Sequence, residues 1–187
     1  WGVIFPDHLT EVMNSAQSFF MVSFGWFYQL TASFFLIFAL FLIFSPYGKI
    51  KLGKDEDKPE FNYPTWFAML FSAGMGIGLL FFGVSEPISH FTNPPFAEAG
   101  TGEAAREALR YTYLHWGFHA WAIYATIALA LAYYKFRKDL PGLMSATLYP
   151  LFGDRVKGPI GVVIDVVAVF ATIFGVAASL GLGSQQI

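Results

Sequence analysis

The sequence predicts an all-α membrane protein, a single transmembrane domain over residues 1–187 with about four spanning helices and short interfacial ones. Three observations predict it. The 187 residues are 56% hydrophobic and 13% charged, roughly half the charged share of a soluble domain. Four stretches approach the ~20 apolar residues that cross a hydrocarbon core. The basic residues alternate from one connection to the next, as an up-and-down path requires.

The first span runs over 19–44, inside a stretch with no charge between Glu11 and Lys49. Asp7 to Gln17 precedes it as an interfacial helix. Trp1 to Pro6, with neither a basic leader nor an initiator Met, reads as the tail of a preceding membrane helix. The second span covers 63–85, entered through Pro64 and left at Glu86-Pro87, which reads as an external helix end. The third covers 111–134 and contains no Lys, Arg, Asp or Glu; Glu103 to Arg110 forms a separate helical turn or two before it, with Glu103/Arg106 and Glu107/Arg110 at i,i+3. Asp139-Leu140-Pro141 starts another short helix, which Gly153-Asp154 ends. The fourth span runs over 159–187.

Lys49, Lys51, Lys54 and Lys58 follow the first span, and Lys135, Arg137, Lys138, Arg155 and Lys157 follow the third. Arg106 and Arg110 alone lie between the second and third. The first and third connections are therefore expected on the cytoplasmic side and the second outside. With a net charge of -2, no basic face invites nucleic acid. The absence of cysteine excludes disulfides and thiolate chemistry. No Ser/His/Asp arrangement suggests covalent catalysis, so no enzyme is expected.

Two clusters carry candidate chemistry. Gly74, Gly76 and Gly78 place three glycines within five residues, each costing about 1 kcal/mol in a helix interior relative to Ala. They predict either a local unwinding that frees backbone groups toward a cavity or close helix packing through the Gly74/Gly78 pair. Trp116, Trp121 and Tyr124 fall at about 0°, 140° and 80° on an unbroken helix. That set forms one wall of an aromatic box for a cation without hydrogen-bond donors, such as a quaternary ammonium, or an interfacial belt against lipid. A glycine-broken helix beside such a wall suits a transporter; a non-transporting helical membrane subunit is the alternative.

Other polar groups are fewer. His115 and His119 stand at i,i+4 with no carboxylate on their helix, which favours packing over metal binding. Asp165 lies near the start of the fourth span, where a solvated or paired role is expected. That span repeats a small residue at Ala171, Gly175, Ser179 and Gly183, a packing ridge. Thr172 and Ser184-Gln185-Gln186 add polar groups that could line an ion path.

Phe71 to Pro87, His115 to Tyr124 and Ile164 to Gly183 together resemble the betaine/carnitine/choline transporter family over nearly the whole chain. The resemblance implies a secondary transporter of the LeuT-type inverted-repeat fold, a multi-pass protein of the cell membrane, surrounded by lipid and usually trimeric. Of about twelve family helices, the chain would run from the end of the first into the fifth. It implies that Trp116, Trp121 and Tyr124 contribute to the substrate box, with Gly74, Met75, Gly76, Ile77 and Gly78 as the unwound segment of a glycine betaine or choline carrier. In sodium-coupled relatives, carbonyls at the positions of Ser72 and Met75 hold one Na+, and Thr172 resembles a ligand of a second. Two positions depart from the pattern. Val176 stands where some sodium-coupled members have a second Thr, which keeps proton coupling open. Ala120 replaces a proline, which predicts a straighter third span.

Overall fold

The computed structural model describes residues 1–74 and 76–185; of Ala73, Ile77 and Gly78 it describes the backbone alone. Eight α-helices carry the described residues: α1 Pro6–Phe44, α2 Tyr63–Gly74, α3 Ile77–Thr92, α4 Gly102–Trp116, α5 Phe118–Ala132, α6 Met144–Thr147, α7 Tyr149–Phe152 and α8 Pro159–Ser184. Three helical stretches are long and apolar enough to span a membrane: Pro6–Phe44, Gly102–Arg137 and Pro159–Ser184. The chain is thus an all-helical membrane protein.

Several boundaries differ from expectation, each for a local reason. The interfacial segment and first span form one 39-residue helix, about 58 Å long at 1.5 Å per residue. Its polar residues from Asp7 to Gln17 include no glycine, and the one proline stands at the first helical position, where it is tolerated. The expected second span is instead two helices of 12 and 16 residues. α3 does not end at Glu86 but continues through Pro87 to Thr92; a proline removes one helical bond without ending a helix that packing holds. The segment from Glu103 joins the third span as α4, capped where Thr101 Oγ1 accepts the Ala104 N–H at 3.2 Å. Glu107 takes the backbone N–H groups of Phe96 and Ala97 at 3.4 and 3.3 Å, which fastens the preceding loop to α4.

Asp139 ends a helix rather than starting one. After α5 the chain passes through a π-helical turn, Tyr133–Arg137. Asp139 then adopts φ 54°, a left-handed conformation that Asp tolerates better than most residues. The Leu140 N–H returns to the Tyr134 carbonyl at 3.0 Å, closing the helix as left-handed C-terminal residues do.

α3 packs along α4, α1 along α5, and α8 against α6 and α3. The buried positions among the described residues are small: Ala104 and Ala108 on α4, Ala122 on α5, Ser145 and Ala146 on α6, and Gly161 on α8. Without a hydrophobic force between helices in lipid, small residues allow the close approach that dispersion requires. The larger residues of α8, such as Val162, Val166 and Phe170, are exposed, as is its small-residue ridge from Ala171 to Ser179. Asp165 is paired: its carboxylate accepts the N–H of Ser145 at 2.9 Å and its hydroxyl at 2.7 Å, tying α6 to α8.

The connections after α1 and α5 meet at the same end of the bundle. Arg137 Nη1 donates to Asp55 Oδ1 at 2.6 Å and to the Gly53 carbonyl at 2.8 Å, and Lys54 lies 3.2 Å from Asp139. The positive-inside pattern assigns those two loops to one side, and their ion pairs put them there. The Arg137 hydrogen bond and charge hold the Asp55 carboxyl below its ordinary range. A depressed carboxylate contributes stability above its unfolded pKa and loses it as pH falls through the folded one. Asp55→Asn should therefore melt below the parent protein at neutral pH, with the gap closing as pH drops under about 3.9. Thermal melts across pH test this; a gap that persists in acid would deny the pair any role.

A candidate binding site at two helix breaks

The glycine segment breaks the helix. α2 stops at Gly74, Gly76 is extended at φ -71° and ψ 172°, and α3 begins at Ile77. Helix ends leave amides and carbonyls without intrahelical partners. The carbonyl end of α2 and the amide end of α3 thus meet here with opposite partial charges. Met75 lies outside the described residues, as do the side chains of Ile77 and Gly78.

A second break lies in the expected third span. Gly117 separates α4 from α5 with φ -88° and ψ -151°. The straight helix expected from Ala120 is therefore not formed: a glycine three positions earlier bends the span where no proline does. A Cβ at Gly117 would strike the Tyr113 carbonyl oxygen, so this backbone path needs glycine.

Trp121 joins the two breaks. Its indole Nε1–H donates to the Trp116 carbonyl at 3.1 Å, satisfying one of the open carbonyls at the end of α4. Its Cη2 lies 3.6 Å from where a Cβ on Gly74 would stand, so the indole edge rests against the end of α2. The Tyr124 ring is 5.8 Å from that of Trp121 at 41°. Both faces remain accessible, Trp121 46% and Tyr124 70% exposed.

The expected three-ring wall is thus brought together only in part. Gly74, Trp121 and Tyr124 are neighbours. Trp116 is linked to them through its carbonyl, but its ring stacks on Phe82 at 5.9 Å and 27°, and its Nε1–H donates to Glu86 Oε2 at 2.7 Å. The angular set assumed an unbroken helix, and the break at Gly117 turns Trp116 away from the positions that follow it.

Glu86, expected at an external helix end, lies inside α3 and meets the end of α4. Besides Trp116, it meets His115 Nδ1 at 2.9 Å and His90 Nε2 at 3.6 Å, with its side chain only 11% exposed. His115 Nδ1 lies within hydrogen-bond distance of both Glu86 carboxyl oxygens, at 3.0 and 2.9 Å. The available signal was an acid alone between Glu60 and Glu98, facing a helix that ends in two donors. Glu86, His90, His115 and His119 also line a cavity of about 600 Å³ against Tyr28 and Gln29 of α1. Among the described residues, no group of three or more His, Cys, Asp or Glu side chains is arranged to hold a metal ion, and the break at Gly117 interrupts the i,i+4 register of His115 and His119.

The candidate sodium ligands lie on two helices, Ser72 on α2 and Thr172 on α8. Ser72 is exposed near the end of α2. Thr172 is exposed on α8, and its hydroxyl donates to the Ala168 carbonyl at 2.8 Å, which leaves the oxygen lone pairs directed outward. Gln186 lies outside the described residues.

The sequence profile of the betaine/carnitine/choline family transporters matches residues 1–187. The glycine betaine transporter OpuD of Bacillus subtilis is 62% identical over 188 residues, covering 100% of this chain and 37% of the relative. A probable glycine betaine transporter of Desulfitobacterium hafniense is 56% identical over 187 residues, covering 100% of the chain and 38% of the relative. The osmo-independent choline transporter BetT1 of Acinetobacter baylyi is 44% identical over 182 residues, covering 97% and 35%. The chain thus spans little more than a third of the length of these relatives.

Because a methyl group at Gly117 meets backbone, Gly117→Ala is expected to destabilise the fold by about 1–3 kcal/mol. Gly74→Ala serves as its partner, since its Cβ would make an ordinary 3.6 Å contact with Trp121. Thermal melts in detergent should show a clear drop for the first and little change for the second. Equal melting temperatures for both would mean that the bend at Gly117 is not required.

Proposed function

The chain belongs to the betaine/carnitine/choline family of transporters, and from that premise we propose that it supplies the aromatic wall and unwound helix of a secondary transporter for a quaternary ammonium osmoprotectant. Glycine betaine is the substrate favoured over choline, because the relatives sharing 62% and 56% identity carry betaine in their names and the choline relative shares 44%. The observation that carries the reading is the Trp121–Tyr124 pair beside the end of α2.

A trimethylammonium group offers no hydrogen bond, so its affinity comes from apolar contact and from ring quadrupoles, worth about 2 kcal/mol or more when water is excluded. Trp121 and Tyr124 present such faces. Gly74 and Gly76 leave the backbone bare of side chains, and the amide end of α3 favours the carboxylate end of betaine. Residues 74–78 then form the seat, and Trp116 supports the wall through its carbonyl, which accepts the Trp121 indole N–H.

In this reading the protein is a multi-pass carrier of the cell membrane with a LeuT-type inverted repeat, assembled as a homotrimer, importing its substrate by alternating access. Sodium is the co-substrate. Carbonyls of Ser72 and Met75 would hold one sodium ion, and the exposed hydroxyl of Thr172 would be a ligand of a second. Proton coupling is the second reading, favoured by Val176, whose side chain has no oxygen to offer a second sodium.

Uptake of labelled glycine betaine and choline by the full-length protein, in sodium and then in potassium, tests both parts. Trp121→Ala is expected to weaken betaine binding at least about tenfold, or 1.4 kcal/mol, in a protein that still folds. Betaine uptake that collapses in potassium supports sodium symport, and uptake that instead follows the proton gradient selects the second reading. Unchanged betaine affinity in Trp121→Ala would overturn the aromatic wall.

A further inference from the structure

We propose that Glu86 is a positioning residue for the Trp121–Tyr124 pair, acting through Trp116 from the opposite side of the helix break. The proposal rests on the reading of that pair as the substrate's aromatic wall, and it adds a group that would not itself touch substrate.

The geometry forms a relay of named contacts. Phe82 and Glu86 stand one turn apart on α3 and hold Trp116 from two directions: the phenyl ring stacks on the indole at 5.9 Å, and the carboxylate takes its Nε1–H at 2.7 Å. The Trp116 carbonyl, thus placed, accepts the indole N–H of Trp121 at 3.1 Å. Trp121 in turn touches the end of α2 and pairs with Tyr124. Each link crosses an element boundary, α3 to α4, α4 to α5, and α5 to α2.

Chemistry favours a carboxylate at the head of this relay. Glu86 is the lone acid between Glu60 and Glu98, in a segment otherwise apolar, where a charge persists only if paired and hydrogen-bonded. His115 Nδ1 reaches both of its oxygens, at 3.0 and 2.9 Å, and His90, whose ring lies 5.5 Å from that of Tyr111, approaches Oε1 at 3.6 Å. A hydrogen bond to an ionised acceptor is roughly twice as strong as a neutral one. The bond to Trp116 therefore fixes one indole rotamer at a place where Gly117 leaves the backbone free to bend. A shorter side chain, or one without an oxygen acceptor, would leave α3 packed on α4 but release the ring.

The test uses the full-length protein labelled with 5-fluorotryptophan, with resonances assigned by Trp116→Phe and Trp121→Phe. Glu86→Ala should shift the Trp116 and Trp121 resonances together and leave the other tryptophans in place. Its betaine KM should rise about tenfold with the maximal rate per folded carrier held within about twofold. Glu86→Gln, which keeps an oxygen acceptor, should recover most of the KM. If the alanine variant does not fold, Glu86→Asp, which withdraws the carboxylate by one methylene, should shift the same two resonances. A Trp121 resonance unmoved by these changes, or a loss of maximal rate at unchanged KM, would overturn the proposal. Failure of the parent protein to bind any quaternary ammonium would defeat the transport reading alone, because the fluorine shifts still report whether Glu86 positions Trp121.

Discussion

Backbone amides and carbonyls in hydrocarbon must find partners inside the protein, and this constraint governs where the chain can interrupt its helices. Two interruptions occur, at Gly74–Gly76 and at Gly117. They are not scattered. The Trp121 side chain satisfies a carbonyl at the second break while its far edge rests on the end of the helix at the first. One indole therefore repairs a local defect and registers two defects against each other. The two breaks thereby bring bare glycine backbone and aromatic rings side by side.

The charged group that holds Trp116 follows the same logic. Glu86 would be expensive in an apolar helix by itself, yet its carboxylate collects an indole N–H and an imidazole from the last two residues of α4 and approaches a second imidazole on its own helix. Burial of the acid and termination of α4 are thus coupled. At the opposite end, Arg137 and Lys54 reach across to Asp55 and Asp139 in exposed loops. Those pairs register two connections; surface ion pairs of this kind add little stability.

Much of the architecture was legible in the residues. Apolar length marked the stretches, and lysine and arginine counts put the two clasped loops on one side. Three closely spaced glycines left a break and close helix packing both open, and α2 and α3 display the break. The remainder depended on information that periodicity does not hold. Trp116 was placed on a wall with Trp121 and Tyr124 by an unbroken 100° rotation, and a single glycine between them cancelled it. Asp139 reads as a helix start by its side chain, whereas its φ of 54° makes it a stop. Glu86 before Pro87 reads as a helix end until α4 is seen to supply its partners. In each case a tertiary contact outweighed a local pattern, and the contacts lay 29 and 30 residues apart for Glu86.

The most direct measurement is an electron cryo-microscopy structure of the full-length protein with glycine betaine bound. The account predicts the trimethylammonium within about 6 Å of the Trp121 ring, beside a backbone still broken between Gly74 and Ile77. Betaine bound elsewhere, with Trp121 turned to lipid and one continuous helix running through the glycines, would contradict it.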